Sequence, residues 1–319
     1  MKGVVPFQEK GAEQILHKVL EKKTLRMTTD NSFVAQSDVV VIILGTPIDP
    51  GLNPDLEPLM RALASVVQHL RPGQLIVLRS TVKPGTTQAV KECLEQLTPY
   101  RVGRDLFLVY APERVIQGQA LREIPVLPQI IGAFDDASYA KACQFFGRFV
   151  QAQFPSLTPI EAEIAKLICN MYRYVNFALA NEFYMIAEDF GANIHRVIDA
   201  CNYNYPRMNL PQPGPNVSGP CLFKDGFFLV ERFFLPDLIY TAFKINEGMS
   251  AQIVKKLQQR SGIRKVGILG LTFKAGSDDT RNSVSFKLKK LLRSANYNVV
   301  TVDPHLRDQQ DFHVLRGCD

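Results

Sequence analysis

A thiol and two charges stand together at Cys221-Leu222-Phe223-Lys224-Asp225, closing a Gly- and Pro-rich stretch that begins at Pro213. Cysteine is a nucleophile as its thiolate, and a neighbouring cation such as Lys224 favours that form. Asp225 is placed to hold a lysine or to orient a water. Gly and Pro punctuate loops, which predicts that Cys221 lies in a loop where backbone can come close to a ligand. A single cysteine is more often a small buried hydrophobe, so its meaning depends on what the rest of the chain brings to it. A second pair, Lys166 and Asn170, lies in the segment 160–190, which contains neither Pro nor Gly. Residues four apart on a helix project from one face, so these two would point into the same place. A surface Lys and a capping-type Asn are the plain alternative, but Asn is mildly unfavourable in mid-helix unless it has a use there.

The elements that must carry these groups are legible from periodicity. Val39 to Leu44 is a continuous apolar run of strand length, the pattern of a parallel-sheet strand covered on both faces. It ends in Gly45-Thr46-Pro47, a tight turn at the carboxyl end of a strand, which is where open α/β sheets bind ligands. Strands at 74–78 and 106–110 follow, each leading into a polar turn (Arg79 to Gly85, then Ala111 to Arg114), with helices at 55–70 and 86–97 between. Weaker strand signals at 129–131 and 148–153 flank a helix near 138–146. This alternation predicts βαβ units and a parallel sheet. From Thr158 the pattern becomes helical, with one helix of about 30 residues that spans on the order of 45 Å. Such a length predicts a helix that connects domains and packs on a second subunit. Helices at 194–202, 226–234 and 239–259 complete the middle region. Strands at 265–271 and 297–304, around a helix at 283–294, return to α/β. The predicted domains are 1–156, 157–262 and 263–319.

Composition narrows the function. The chain has 319 residues, 46% apolar and 21% charged, and a net charge of +6. That charge suits an anionic small molecule, and with no basic run interleaved with aromatics, nucleic acid is not an expected partner. Its six cysteines show no CxxC spacing and no leader precedes them, which predicts free thiols in a reducing cytoplasm. No apolar run approaches membrane-spanning length. No metal site is expected. Five histidines in unrelated segments argue against a cysteine hydrolase.

Five motifs in order, spread over nearly the whole chain, resemble the UDP-glucose/GDP-mannose dehydrogenase family. They are Ser80-Thr81-Val82-Lys83-Pro84-Gly85-Thr86-Thr87, Ala111-Pro112-Glu113-Arg114, the helix from Glu161 through Lys166 to Asn170, Gly219 to Asp225, and Gly270 to Arg281. The resemblance implies an NAD-dependent four-electron oxidation of a nucleotide sugar's 6-hydroxymethyl group to the uronate. It implies a thiohemiacetal and then a thioester on Cys221, with Lys166 and Asn170 stabilising the oxyanion. Asp225 and Glu113 would position or deprotonate water. Lys274 would hold substrate phosphate with Lys224 also on the substrate side, Thr46, Thr81 and Arg281 would contact NAD, and Arg207 would reach the sugar of a partner subunit in a homodimer. The implied fold is α/β, with an incomplete Rossmann-like N-terminal domain, a central helical dimerisation domain and an incomplete Rossmann-like C-terminal domain.

Departures from the family pattern shape the expectations. No GxGxxG turn occurs, so the chain is expected to begin after the first βαβ unit of a dinucleotide domain and to lack its pyrophosphate cradle. Gln117 replaces a Glu, Ser218 interrupts the glycine pair and Phe223 replaces a Pro, while Gly226-Phe227-Phe228 is similar to the N-acetylhexosamine branch. Two alternatives remain open. A two-electron hydroxyacid dehydrogenase would also carry Lys and Asn four apart on a helix, and a non-catalytic remnant would bind nucleotide sugar without turnover.

Overall fold

The computed structural model describes residues 3–49, 51, 53–215, 219–231 and 233–318, with the backbone alone described at 219–221 and 223. Ser218 lies outside the described residues. The chain divides into two compact units, residues 1–169 with 227–232, and residues 170–226 with 233–319.

The first unit is built on the predicted apolar runs. After helix α1 (Ala12–Glu21), strand β1 (Val39–Ile42), helix α2 (Glu57–Val66), strand β2 (Leu75–Leu78), helix α3 (Thr86–Leu97) and strand β3 (Phe107–Tyr110) alternate. The three strands pair in parallel, Val39 with Leu75 and Leu75 with Phe107. β2 and β3 are buried on both faces, as their unbroken apolar runs require. Leu63, Leu78, Val90, Leu94 and Leu108 pack one face, while Val77, Val109, Ile131 and Phe146 pack the other.

Two expectations change beyond β3. A short helix α4 (Ala120–Glu123) leads to strand β4 (Ile131–Ala133), which runs antiparallel to β3. The connection stays at the carboxyl end of the sheet instead of crossing back over a face, so the next strand starts from the end where β3 stops. After helix α5 (Asp136–Phe146), the weak strand signal at 148–153 forms no strand, because its first residues close the helix end through Phe146. Strand β5 (Ser156–Leu157) pairs with β4 instead, giving the linear order β1-β2-β3-β4-β5. Gly132 of β4 lets the start of the next helix come close: a Cβ there would lie 2.7 Å from the Ala162 Cβ and 2.9 Å from the Pro159 Cα.

Helix α6 (Pro159–Asp189) is the long element foreseen from 160–190, 31 residues in all. It begins in the first unit and ends in the second. Helix α7 (Ile194–Asn202) follows, capped by the Asn193 side chain. Cys221 does not lie in a loop: helix α8 (Gly219–Val230) already includes it. A Pro is tolerated in the first turn of a helix, where its missing N–H has no intrahelical partner to lose, so Gly219-Pro220 starts this helix instead of preceding it. Helix α9 (Asp237–Gln258) leads to strand β6 (Lys265–Leu269), helix α10 (Val284–Ser294) and the parallel strand β7 (Asn298–Val302).

Candidate active site

In the first unit the turns that leave β1, β2 and β3 form one hydrogen-bonded rim. The Thr46 hydroxyl donates to the Thr81 carbonyl at 2.8 Å, joining the first turn to the second. Arg79 joins the second to the third. Its Nη1 donates to the Ala111 carbonyl and to Gln129 Oε1, both at 3.0 Å, and its Nη2 pairs with Glu113. The other Glu113 oxygen accepts the N–H groups of Arg114 (2.7 Å) and Val115 (3.1 Å). With both oxygens engaged, Glu113 is held in a fixed direction, which suits orienting a water more than removing its proton.

The rim is also fastened from behind by a residue that sequence reading passed over. Glu163, on α6 and fully buried, accepts the Gly85 N–H at 2.6 Å, the Thr87 N–H at 2.7 Å and the Thr87 hydroxyl at 2.5 Å. Burial pushes its carboxyl above the ordinary glutamate value, against the opposing pull of these donors. The signal for it was an acid three residues before Lys166, on the same helical face. Lys166 itself is buried, an uncommon place for a cation, and one turn further along α6 Asn170 is buried too.

In the second unit Asn170 meets the element that carries the thiol. Its Nδ2 donates to Asp225 Oδ2 at 2.5 Å, and Asp225 is fully buried. Gly226 makes this approach possible, since a Cβ there would fall 2.8 Å from Met171 Sδ and 2.8 Å from Ile239 Cγ2. Cys221 occupies the position one helical turn before Asp225 on α8; its side chain lies outside the described residues. Thus Asn170 and Asp225, 55 positions apart in sequence, form one buried pair. The loop before α8 is tied to the same helices: Asn181 on α6 accepts the Gly214 N–H and donates to Asn246 on α9.

At the carboxyl ends of β6 and β7 lies a cavity of about 660 Å³, lined by Thr272, Lys274, Gly276, Ser285, Asp303 and His305 among others. Asp303 forms its floor. Its carboxylate accepts N–H groups from Leu271 (2.7 Å), Thr272 (3.0 Å) and His305 (2.8 Å). Burial alone would raise its pKa, but these three donors hold it below the ordinary aspartate value. Lys274 is one of the residues that line this cavity. Arg281 is elsewhere: it is exposed and forms a two-pronged pair with Asp279, 2.7 Å at its shortest. Lys224 is half-buried on α8. Arg207 is exposed, stacks on the Tyr205 ring and donates from Nε to its hydroxyl at 2.9 Å. Among the described residues no cluster of His, Cys, Asp or Glu could hold a metal ion, and no helix is long and apolar enough to cross a membrane.

Comparison with known proteins returns three family models in succession. Residues 1–150 match the NAD binding domain of the UDP-glucose/GDP-mannose dehydrogenase family, 160–247 its central domain and 267–318 its UDP binding domain. Among similar proteins, the UDP-N-acetyl-D-mannosamine dehydrogenase of Pyrococcus horikoshii is 34% identical over 99% of this chain and 78% of its own length. That of Methanocaldococcus jannaschii is 35% identical over 86% of this chain and 64% of its own. A solved structure of the UDP-D-ManNAc dehydrogenase from Pyrococcus horikoshii superposes with a TM-score of 0.92 over 100% of this chain and 78% of that one.

Proposed function

The chain belongs to the UDP-glucose/GDP-mannose dehydrogenase family of NAD-dependent oxidoreductases, and from that membership we propose that it oxidises the 6-hydroxymethyl group of a UDP-N-acetylhexosamine to the carboxylate, with Cys221 as the covalent catalyst. The observation that carries the reading is the buried Asn170–Asp225 pair, which brings the mid-helix motif of α6 to the helix that bears the thiol.

The unit-one rim fits the cofactor. No atom lies within 4 Å of where a Cβ on Gly45 would stand, so a flat ring can approach the backbone there, beside Thr46 and the Thr81 turn. Bound there, NAD would supply the hydride acceptor for each of two oxidations, with a fresh oxidised molecule for the second. The first leaves an aldehyde. The Cys221 thiolate adds to its carbon, and Lys166 and Asn170 stabilise the oxyanion that a proton then neutralises to a thiohemiacetal. Oxidation of that carbon leaves a thioester. Water, oriented by Asp225 and Glu113, adds to the acyl carbon, the carbon–sulfur bond breaks, and carboxylate and thiolate are released with the protons passed to solvent. A buried cation and a buried amide suit charge that develops away from bulk water, where each donor is worth more than in solution. Lys274, with the cavity around Asp303, takes the diphosphate side of the substrate, and Arg281 contacts the cofactor.

A second copy of the chain is the proposed partner, packed on the outer face of α6. Tyr172, Leu179, Phe183 and Ile186 stand exposed there at helical spacing, and Arg207 would face the second copy's sugar. Sedimentation should give a dimer that Phe183→Glu converts to monomer.

The test of the reaction is its stoichiometry. Wild-type protein given UDP-N-acetyl-D-mannosamine should yield two NADH per uronate, and Cys221→Ser should form no uronate, a loss of several orders of magnitude. One NADH per substrate, with an indifferent Cys221, would establish the two-electron alternative. Sugar binding by calorimetry without any NAD reduction would establish the non-catalytic one.

A further inference from the structure

Helix α3 begins without a local cap. Gly85 at its N-cap has φ +94°, a conformation that Ser, Thr and Asp rarely adopt, so the usual short-range acceptor for the first N–H groups is absent. The acceptor comes instead from Glu163 on α6, 76 to 78 residues later in the chain. A carboxylate at a helix N-terminus also satisfies the dipole, so this end of α3 is closed to a phosphate group. Gly85 and Thr87 continue the turn that bears Thr81, and Lys166 is three residues beyond Glu163 on the same helical face. One buried side chain therefore links the turn to the element that presents Lys166.

We propose that Glu163 is a positioning residue for the oxidation, setting the cofactor-side turn 79–87 in register with Lys166. This rests on the reading of the rim given above. Three donors converge on its two oxygens, two of them on one oxygen, which leaves no room for a hydrogen on that oxygen. A glutamine would turn two N–H groups towards one set of these donors, and the turn would shift to relieve the conflict. The Thr86 hydroxyl donates to the Lys83 carbonyl at 2.7 Å, a bond that lies inside the turn and moves with it, so it cannot hold the turn in place. Displacement of about 1 Å in a reacting geometry costs on the order of 100-fold in rate.

Glu163→Gln decides it, measured on the full chain with NAD and UDP-N-acetyl-D-mannosamine. The expected result is a fall in kcat/KM for NAD on the order of 10- to 100-fold, carried mainly by KM for NAD, with KM for the sugar nucleotide within about twofold of wild type. Amide exchange should quicken more in 82–88 than in β2 and β3, where it rises only by the general loss of stability of the unit. Glu163→Asp keeps the charge but shortens the reach by one methylene, and should fall between the two; it carries the same expectation if Glu163→Gln fails to fold. Kinetics equal to wild type would overturn the inference. So would an equal loss in every parameter with exchange raised by the same factor in 82–88 as in β2 and β3, which marks a residue that only holds the fold. A wild-type chain that reduces no NAD would overturn the functional reading itself; a working wild type with an indifferent Glu163→Gln overturns this inference alone.

Discussion

Glu163 in the first unit and Asp303 in the second do the same job, one at a mixed five-stranded sheet and the other at a parallel pair of strands. Each is a fully or almost fully buried carboxylate that gathers N–H groups from a turn at the carboxyl end of the strands. Their environments nevertheless push them in opposite directions. Asp303 has three backbone donors on a short side chain, from both strand ends, and its charge is favoured. Glu163 reaches from a helix into packed surroundings, with Ala162 and Leu167 fully buried beside it, and burial outweighs its donors. Charge in a protein interior is thus decided by how much is removed from water as well as by how many partners are gained. The second sheet keeps a cavity of about 660 Å³ over its carboxylate, while the first spends its polar groups on one another.

The comparison can be broken most directly at Asp303. Asp303→Asn should cost about 3 kcal/mol, because an amide repels some of the donors a carboxylate gathers; urea denaturation followed in the second unit should show the loss. Glu163→Gln should cost about 2 kcal/mol in the first unit by the same measurement, less than Asp303→Asn because the native charge there is itself disfavoured. Gly132→Ala tests packing without charge. Its Cβ would press on backbone at Pro159 and Thr158, and a loss of about 1–2 kcal/mol is expected in thermal unfolding. Arg281→Ala should be almost silent, below about 0.5 kcal/mol, because that pair is largely exposed on the arginine side.

Acid sharpens the contrast. A carboxyl held below its ordinary pKa contributes stability that is present above that value and lost as pH falls through the folded one. Asp303 therefore protects the second unit at neutral pH and fails it below about pH 4, so the gap between wild type and Asp303→Asn should narrow in acid. A carboxyl held above its ordinary pKa does the reverse: its contribution is complete in acid and declines as pH rises through the folded value. The gap between wild type and Glu163→Gln should widen as pH falls. Two gaps moving in the same direction would refute the assigned directions.

Much of this was legible in the sequence. Unbroken apolar runs gave β2 and β3 because strands buried on both faces leave no room for alternation. The run at 39–44 gave β1 too, but as an edge strand with Val41 exposed it is not covered on both faces as expected. The absence of Pro and Gly gave α6 nearly to the residue. The antiparallel β4 was not legible, since three residues carry too little pattern to show direction. The first part of α8, residues 219–225, reads as a loop when Gly and Pro are weighed without their position, although in a first turn both are tolerated; its second part falls in the helix expected at 226–234. At the site, motif residues far apart in the sequence meet: Asn170 on α6 pairs with Asp225 on α8, and the Thr46 hydroxyl joins the Thr81 turn. Arg79, Glu163 and Asp303 were missed. Their work is to satisfy backbone groups far away in the chain, which a local pattern does not show; for Glu163 the one local sign is its place three residues before Lys166 on the same helical face.

The wiring of the first rim bears on how such a protein can be altered. Since Thr46 holds the Thr81 turn and Arg79 holds the Glu113 turn, grafting a single loop from a relative would leave its former neighbours without partners. Any re-engineering of this rim should therefore transplant the three loops as one cassette, with Glu163 included.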